Sequence, residues 1–374
     1  MSNIHTLYAV THSLYSGRAR SYLVKNGIAF RELSTGHESF KAEVLPKAKL
    51  PTIPTLVTPQ GEVIRDGAAI IEHFEAANGR PCTPSGPRQQ VVSALFDVIG
   101  TDGLLRPAMH YRWNFPEANL AFVRYHFYHS QRDVPARDEK TDGMMDRMRF
   151  AAQAFGVSED AIATVEALYL DFLTALDVHL EEYPYLLGWR PCLGDFGLLA
   201  PLYAHLGRDP YPARIMQERA VRVYRWVERM NRADQDVPEY YDAQDDLLPD
   251  DLIPDSLVDV LRIVAEDFVP ETLAAADTLN QWLAENSPEP GQPAERMLGM
   301  CNFSVRGQAM TAVAQPYRFF LLQRLQEIYA ALDAQARESV DALLFESGMK
   351  DILSAKLTHR LARVDNLEVW QPAG

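Results

Sequence analysis

The chain has 374 residues, 47% of them hydrophobic, and a formal net charge of −15. That length supports two or three domains with a buried core, and an acidic balance without a long Lys/Arg run argues against binding to nucleic acid or an anionic membrane. Cys82, Cys192 and Cys301 stand far apart with no CxxC pair, which argues against a disulfide scaffold, a zinc finger or a dithiol redox centre. The opening residues show no basic stretch followed by an apolar one, and no run approaches the roughly 18 apolar residues of a membrane span, so a cytoplasmic location is expected.

Charge is not spread evenly. Residues 1–80 hold nine Lys and Arg against seven Asp and Glu, a net +2, which leaves −17 on the remainder. A mildly basic module within an acidic chain suits a small anionic ligand. Within it, Ile4–Val10 reads as a strand. Ser16–Asn26 places Ala19, Tyr22 and Leu23 at helical spacing and stops at Gly27, a residue suited to a C-terminal cap. Ile28–Leu33 reads as a second strand, and Glu38–Leu45 as a weak helix ended by Pro46. Thr55–Thr58 and Glu62–Arg65 are predicted strands joined by the turn tripeptide Pro59-Gln60-Gly61. Ala68–Asn78 carries Ile70, Ile71 and Phe74 on one helical face and stops at Gly79. The order βαβ–α–ββα is that of a thioredoxin-like domain over residues 1–80.

Pro81, Pro84, Gly86 and Pro87 form a linker, and helical signals dominate 88–232 apart from a polar stretch at 131–142. From 233 to 261 there is no Lys or Arg but ten acidic residues, punctuated by Pro238, Pro249 and Pro254. Residues 233–255 are therefore read as a solvated acidic linker. The extension 256–374 is predicted to be helical over Ser256–Glu285, Pro316–Leu332, Ala334–Phe345 and Met349–Val364. No internal repeat stands out.

Three motifs in the first module carry chemistry. The first is Ser13-Leu14-Tyr15-Ser16-Gly17-Arg18-Ala19-Arg20, followed by Leu50-Pro51-Thr52-Ile53-Pro54-Thr55-Leu56 and then Asp66-Gly67-Ala68-Ala69-Ile70. In order and spacing they resemble the N-terminal domain of a serine-type glutathione S-transferase, whose members often read Ser-Pro-Tyr-Ser-x-(Lys/Arg)-x-Arg, Val-Pro-x-Leu and (Glu/Asp)-Ser-x-Ala-Ile. Tyr185–Phe196 resembles that family's helical-domain signature, with Cys192 at the Ser or Thr helix cap and Asp195 able to reach back to its N–H. The resemblance spans residues 4–232 and implies a thioredoxin-like domain followed by an all-helical one. A long helical extension occurs in some bacterial relatives.

The resemblance assigns roles. Ser13 would donate its hydroxyl to the glutathione thiolate, with Tyr8 and Tyr15 as rivals. Ile53, before an expected cis Pro54, would pair with the cysteinyl backbone as an added strand does. Asp66 and Gly67 would receive the γ-glutamyl ammonium and carboxylate, and Lys49 or Lys47 the glycyl carboxylate. His110, Tyr111, Arg112 and Trp113 fall where the family builds its electrophile pocket. Glutathione would be a co-substrate and a small hydrophobic molecule its acceptor; a homodimer is expected by analogy. A plain structural role competes at each position. Ser13 is a suitable helix cap, Pro54 a suitable edge-strand proline, and the aromatics suitable core.

A strand-to-helix junction suits a thiolate because the first helical N–H groups are unpaired and carry partial positive charge. Lowering a thiol pKa from about 8.5 to about 6.5 raises the thiolate fraction at pH 7 roughly 25-fold. Reduced basicity takes back about eight-fold of that. Holding the reactants together contributes far more than this net three-fold, so the helical domain matters as much as the serine.

Three positions depart from the family pattern. Gly67 stands for the usual Ser, Leu14 for Pro, and Thr52 for a carboxylate-binding Lys. One lost hydrogen bond to a charged group costs about 1.5–3 kcal/mol, or about 12- to 160-fold in affinity. Weakened glutathione binding is therefore expected. His126 and His129 share a helix face without further ligands nearby, so no metal is expected. Three readings follow: glutathione transfer to an electrophile; another glutathione-dependent reaction such as ether cleavage, dehalogenation or isomerisation; and a non-catalytic binding protein on the same fold. A thiol-disulfide exchange enzyme is disfavoured because the Ser13 hydroxyl cannot form a mixed disulfide.

Overall fold

The computed structural model describes residues 4–131, 135–242 and 244–372. Its first module is a four-stranded sheet ordered β2-β1-β3-β4, built from β1 (His5–Tyr8), β2 (Phe30–Leu33), β3 (Thr55–Val57) and β4 (Val63–Arg65). β1 and β2 run parallel, joined by α1 (Leu14–Lys25), while β3 lies antiparallel to both β1 and β4. Alternation along the strands separates two apolar faces. Leu7, Leu56 and Ile64 pack with Ala19, Tyr22, Leu23, Ile70, Ile71 and Phe74 in the main core. Tyr8 turns the other way, onto Phe40, Val44 and Ala48, with Val57 and Val63 alongside. This is the thioredoxin-like arrangement expected.

α1 ends at Gly27, whose φ of +64° suits glycine. Pro46 does not end a helix as expected. A π-helical turn over Phe40–Val44 leads into α2 (Leu45–Ala48), with Pro46 in its first turn, where a missing N–H costs nothing. α3 spans Gly67–Ala77.

The helical domain runs from α4 (Pro87–Val98) through α5 (Leu105–Trp113), α6 (Pro116–Ser130), α7 (Arg137–Ala154) and α8 (Ile162–Glu182) to α9 (Leu193–Pro201), α10 (Pro210–Arg219) and α11 (Val221–Met230). Part of the polar stretch, 132–134, lies outside the described residues. α9 is central: Phe196, Leu198, Leu199 and Ala200 are fully buried. It crosses the end of α4 closely enough that a Cβ on Gly100 would stand 2.2 Å from Gly197 backbone, and one on Gly197 2.5 Å from the Asp97 Cα. Asp195 receives the Cys192 N–H at 2.9 Å and also the Leu186 N–H and Trp226 Nε1.

The acidic linker is not simply solvated. Asp251 accepts from the Arg88 and Gln89 N–H groups at 2.8 and 2.9 Å, capping α4 from outside the helix. Leu248 N–H donates to the Leu187 carbonyl. α12 (Asp255–Asn286) then packs on α8. Beyond it the helical expectation fails twice. β5 (Met300–Val305) and β6 (Gln308–Val313) form a hairpin against α12; α13 (Pro316–Ala331) and α14 (Ala334–Glu346) pack on α4. The predicted helix Met349–Val364 is a 3₁₀ turn at Lys350–Ser354 and then β7 (His359–Val364), which pairs with β8 (Leu367–Pro372). Asp365 and Asn366, both at positive φ, form its two-residue turn, a conformation these residue types tolerate and hairpins favour. Within β7 only Leu361 is buried, and Val369 and Trp370 of β8 are buried beside it.

Buried charge fastens the extension to the helical domain. Arg318 pairs with Asp102 and with Glu271 (2.9 Å), and Arg106 with Glu271 (3.0 Å) and Asp267. Removing one member of such a set leaves an unpaired buried charge, at about 3–5 kcal/mol.

Candidate active site

Strand register brings the three motifs to one end of the sheet. Tyr8 pairs with Thr55, and Thr55 with Arg65. The loop into Ser13, the Ile53–Pro54 bond and the Asp66–Gly67 step therefore leave the sheet at the same end. Their proximity is direct: a Cβ on Gly67 would lie 3.4 Å from the Tyr15 carbonyl, 3.7 Å from Arg18 Cδ and 3.8 Å from Pro54 Cγ. Those are ordinary van der Waals distances, so neither space nor backbone angle demands glycine at 67.

Ser13 is the N-cap of α1. Its Oγ accepts from the Ser16 N–H at 3.4 Å, and the hydroxyl hydrogen has no acceptor among the described residues. Two arginines of the helical domain pin the loop before it: Arg112 Nη1 donates to the His12 carbonyl at 3.0 Å, and Arg208 to the Thr11 carbonyl. The Ile53–Pro54 peptide is cis, and Ile53 N–H and C=O have no protein partner among the described residues. Tyr8 shares a 2.6 Å hydrogen bond with Ser39 within the second core cluster. Tyr15 has no hydrogen-bond partner among the described residues. Burial, and then the Asp102 charge, push its pKa above the ordinary tyrosine value.

His110, Tyr111, Arg112 and Trp113 are all buried on α5. Arg112 is fully engaged, with Nε and Nη2 on Asp209 at 2.6 and 2.9 Å and Nη2 also on the Ala204 carbonyl. His110 lies 2.9 Å from Glu166, and Tyr111 stacks with Phe115. Apart from the Arg112 bond to the His12 carbonyl, these contacts are with the domain's own groups. Arg18 reaches across to Asp97 and, at 2.9 Å, to Thr101 Oγ1, tying α1 to α4.

Asp66 departs most from the sequence reading. It caps α3 at a φ of +86°, a strained backbone of the kind that persists at functional sites. Its Oδ2 accepts from Tyr317 Oη at 2.8 Å and from Arg363 Nη2 at 2.6 Å. Burial alone would raise its pKa, but the Arg363 and Arg18 guanidiniums and the hydrogen bonds of Tyr317 and Arg363 outweigh it and hold the carboxyl below the ordinary range. Arg363 also donates to the Arg65 carbonyl (2.7 Å) and to Glu368, which in turn meets Arg65 Nη2 at 2.7 Å. Lys49 Nζ lies 3.3 Å from Asp365 Oδ2, Lys47 Nζ donates to the Gly61 carbonyl, and Thr52 Oγ1 accepts from Arg65.

Sequence reasoning missed Tyr317, Arg363, Asp365 and Asn366. For the last three, only the Asp365-Asn366 turn signalled a hairpin; Tyr317 on α13 carried no such signal.

The three cysteines are buried and free. Among the described residues no group of three or more His, Cys, Asp or Glu is placed to hold a metal, and no helix is long and apolar enough to cross a membrane. A crevice of about 30 Å³ between α8 and α12 and a groove of about 270 Å³ near Tyr329 and Lys356 are lined by none of the residues just described.

Residues 7–82 match the family model described as glutathione S-transferase, N-terminal domain. No curated protein matches the chain. Similar solved structures include a glutathione transferase of Phanerochaete chrysosporium, at 15% identity and a TM-score of 0.43, covering 62% of this chain and 97% of that one. A glutathione S-transferase of Methylobacterium radiotolerans, in complex with glutathione sulfonate, is 16% identical with a TM-score of 0.38, covering 65% and 99%. One from Xanthobacter autotrophicus is 21% identical with a TM-score of 0.32, covering 60% and 91%.

Proposed function

We propose, for a chain whose residues 7–82 match the model of a glutathione S-transferase N-terminal domain, that it binds glutathione at this sheet end and activates the thiol for attack on a hydrophobic electrophile. One observation carries the reading: among the described residues Ile53 has no partner for its N–H and C=O beside the cis Pro54, at the sheet end where Ser13 opens α1 with no acceptor for its hydroxyl hydrogen. An extended cysteinyl backbone pairs with such an edge as an added strand does. Its sulfur then faces the first turn of α1, where the helix dipole and the Ser13 hydroxyl favour the anion.

In the reaction the thiol loses its proton to water. The thiolate sulfur forms a bond to the electrophilic carbon, and the leaving group departs with the bonding pair. The protein supplies the donor and the placement; Arg112 and Arg208 act as positioning residues by fixing the loop before Ser13.

A specific observation favours the non-catalytic reading as second choice. Asp66, expected to receive the γ-glutamyl ammonium, already holds Arg363 and Tyr317. Glutathione titration, by calorimetry and thermal shift, separates the two. Binding with a millimolar or tighter Kd supports the first reading; no heat and no stabilisation at 10 mM glutathione removes it.

A further inference from the structure

Two oppositely charged residues flank the tip of the C-terminal hairpin, and each sits on a group expected to hold one end of the tripeptide. Arg363 places its guanidinium on Asp66 at 2.6 Å, where an ammonium would go. Asp365 places a carboxylate 3.3 Å from Lys49, where a carboxylate would go. The spacing is set by the fold: Val364 pairs with Leu367 across a two-residue turn. Between these contacts Asn366 fixes the tip to the sheet edge. Its Oδ1 accepts from the Arg65 N–H at 3.0 Å, and its Nδ2 donates to the Val63 carbonyl at 2.9 Å. The hairpin's other end is anchored apart from the site, with Trp370 fully buried and stacked against Trp282.

We infer that the tip of the β7–β8 hairpin is an internal pseudo-ligand of the tripeptide site, with Arg363 and Asp365 setting the affinity for glutathione by occupying its two end subsites. The inference rests on the glutathione reading above and adds an occupant to it. A tethered segment competes at an effective concentration of about millimolar or higher. Apparent affinity is then reduced by the fraction of molecules in which the tip has withdrawn. The middle of the site is untouched in this arrangement, since among the described residues the Ile53 backbone and the Ser13 hydroxyl hydrogen have no partner. Arg363 is not idle when displaced, because Glu368 stays beside it at 2.5 Å. Withdrawal therefore leaves Arg363 paired, and the ammonium of glutathione replaces one cation by another at Asp66.

The test compares glutathione Kd, by calorimetry on the full chain, for the wild type and Arg363→Gln, with hydrogen exchange of 359–372 followed in both. The expected result is a Kd at least about ten-fold lower in the variant, and loss of protection at the hairpin tip when the wild type is saturated. Equal affinities, or weaker binding by Arg363→Gln with unchanged protection, overturn the inference and leave glutathione binding standing. Binding by neither folded protein overturns both. Should Arg363→Gln fail to fold, Asp365→Gly carries the comparison, because glycine keeps the turn's positive φ while deleting the carboxylate at Lys49. It is expected to lower Kd about two- to five-fold, and no change or a rise overturns the inference.

Discussion

Asn366 and Arg65 are joined by two hydrogen bonds: the Asn366 side-chain amide oxygen accepts the Arg65 backbone N–H at 3.0 Å, and the Asn366 backbone carbonyl accepts from Arg65 Nε at 2.6 Å. β4 is one of the sheet's two outer strands, and an unpaired strand edge invites pairing with another chain. Here the hairpin turn closes it. Asn366→Gly keeps the left-handed turn but deletes the side-chain bonds to Lys47, Val63 and Arg65. The expected loss is about 1–3 kcal/mol, read as a lower urea midpoint. An unchanged midpoint means that the edge bonds contribute nothing.

Ser13→Ala separates capping from chemistry. The cap bond is long, 3.4 Å, so stability should fall by about 0.5–1 kcal/mol, at the low end for a lost N-cap. Glutathione affinity should stay within about two-fold, because the tripeptide's backbone and ends are held elsewhere. The pKa of the bound thiol, read from its thiolate absorbance against pH, should rise. An unmoved thiol pKa assigns no role in activation to this hydroxyl.

The buried histidines should make stability decline on acidification from neutral pH. Burial lowers the His179 pKa to about 4, and burial with the nearby Arg208 charge does the same for His126. The unfolded chain takes up protons at these residues near pH 6.5, while the native one does not until about pH 4. The unfolded state is thus favoured increasingly across that window, by up to about 1.4 kcal/mol per pH unit at the fully buried His179 and by less at His126, where solvent screens the charge. Asp66 acts lower. Its depressed pKa gives stability that is complete above the ordinary carboxylate value and is lost as pH falls through the folded one. Thermal melts between pH 7.5 and 4.5 check the first effect, and His179→Gln should flatten the profile.

Gly197→Ala tests the crossing that supports the site from below. The added Cβ would meet the Asp97 Cα at 2.5 Å, a backbone clash that no side-chain rotation relieves. Separating α4 from α9 also moves Asp97 away from Arg18. A loss of about 3 kcal/mol is expected, at the upper range of overpacking, with a matching fall in melting temperature. Retention of wild-type stability would mean that the two helices slide without cost.

Much of the first module was legible in the chain alone. Gly27 and Gly79 stop helices, alternation in Thr55–Arg65 makes strands, and the order of the motifs around Ser13, Ile53 and Asp66 places them at one sheet end. These are local properties, fixed by neighbours within a few residues. What the sequence could not show is which charges meet. Asp66 and Arg363 are 297 residues apart, and a charged residue in an alternating run looks the same whether water or a carboxylate faces it. The acidic linker reads as solvated for the same reason, although Asp251 caps α4 from 163 residues away. Only packing of the extension against the sheet edge removes water from these groups, and only then does Coulomb attraction choose their partners.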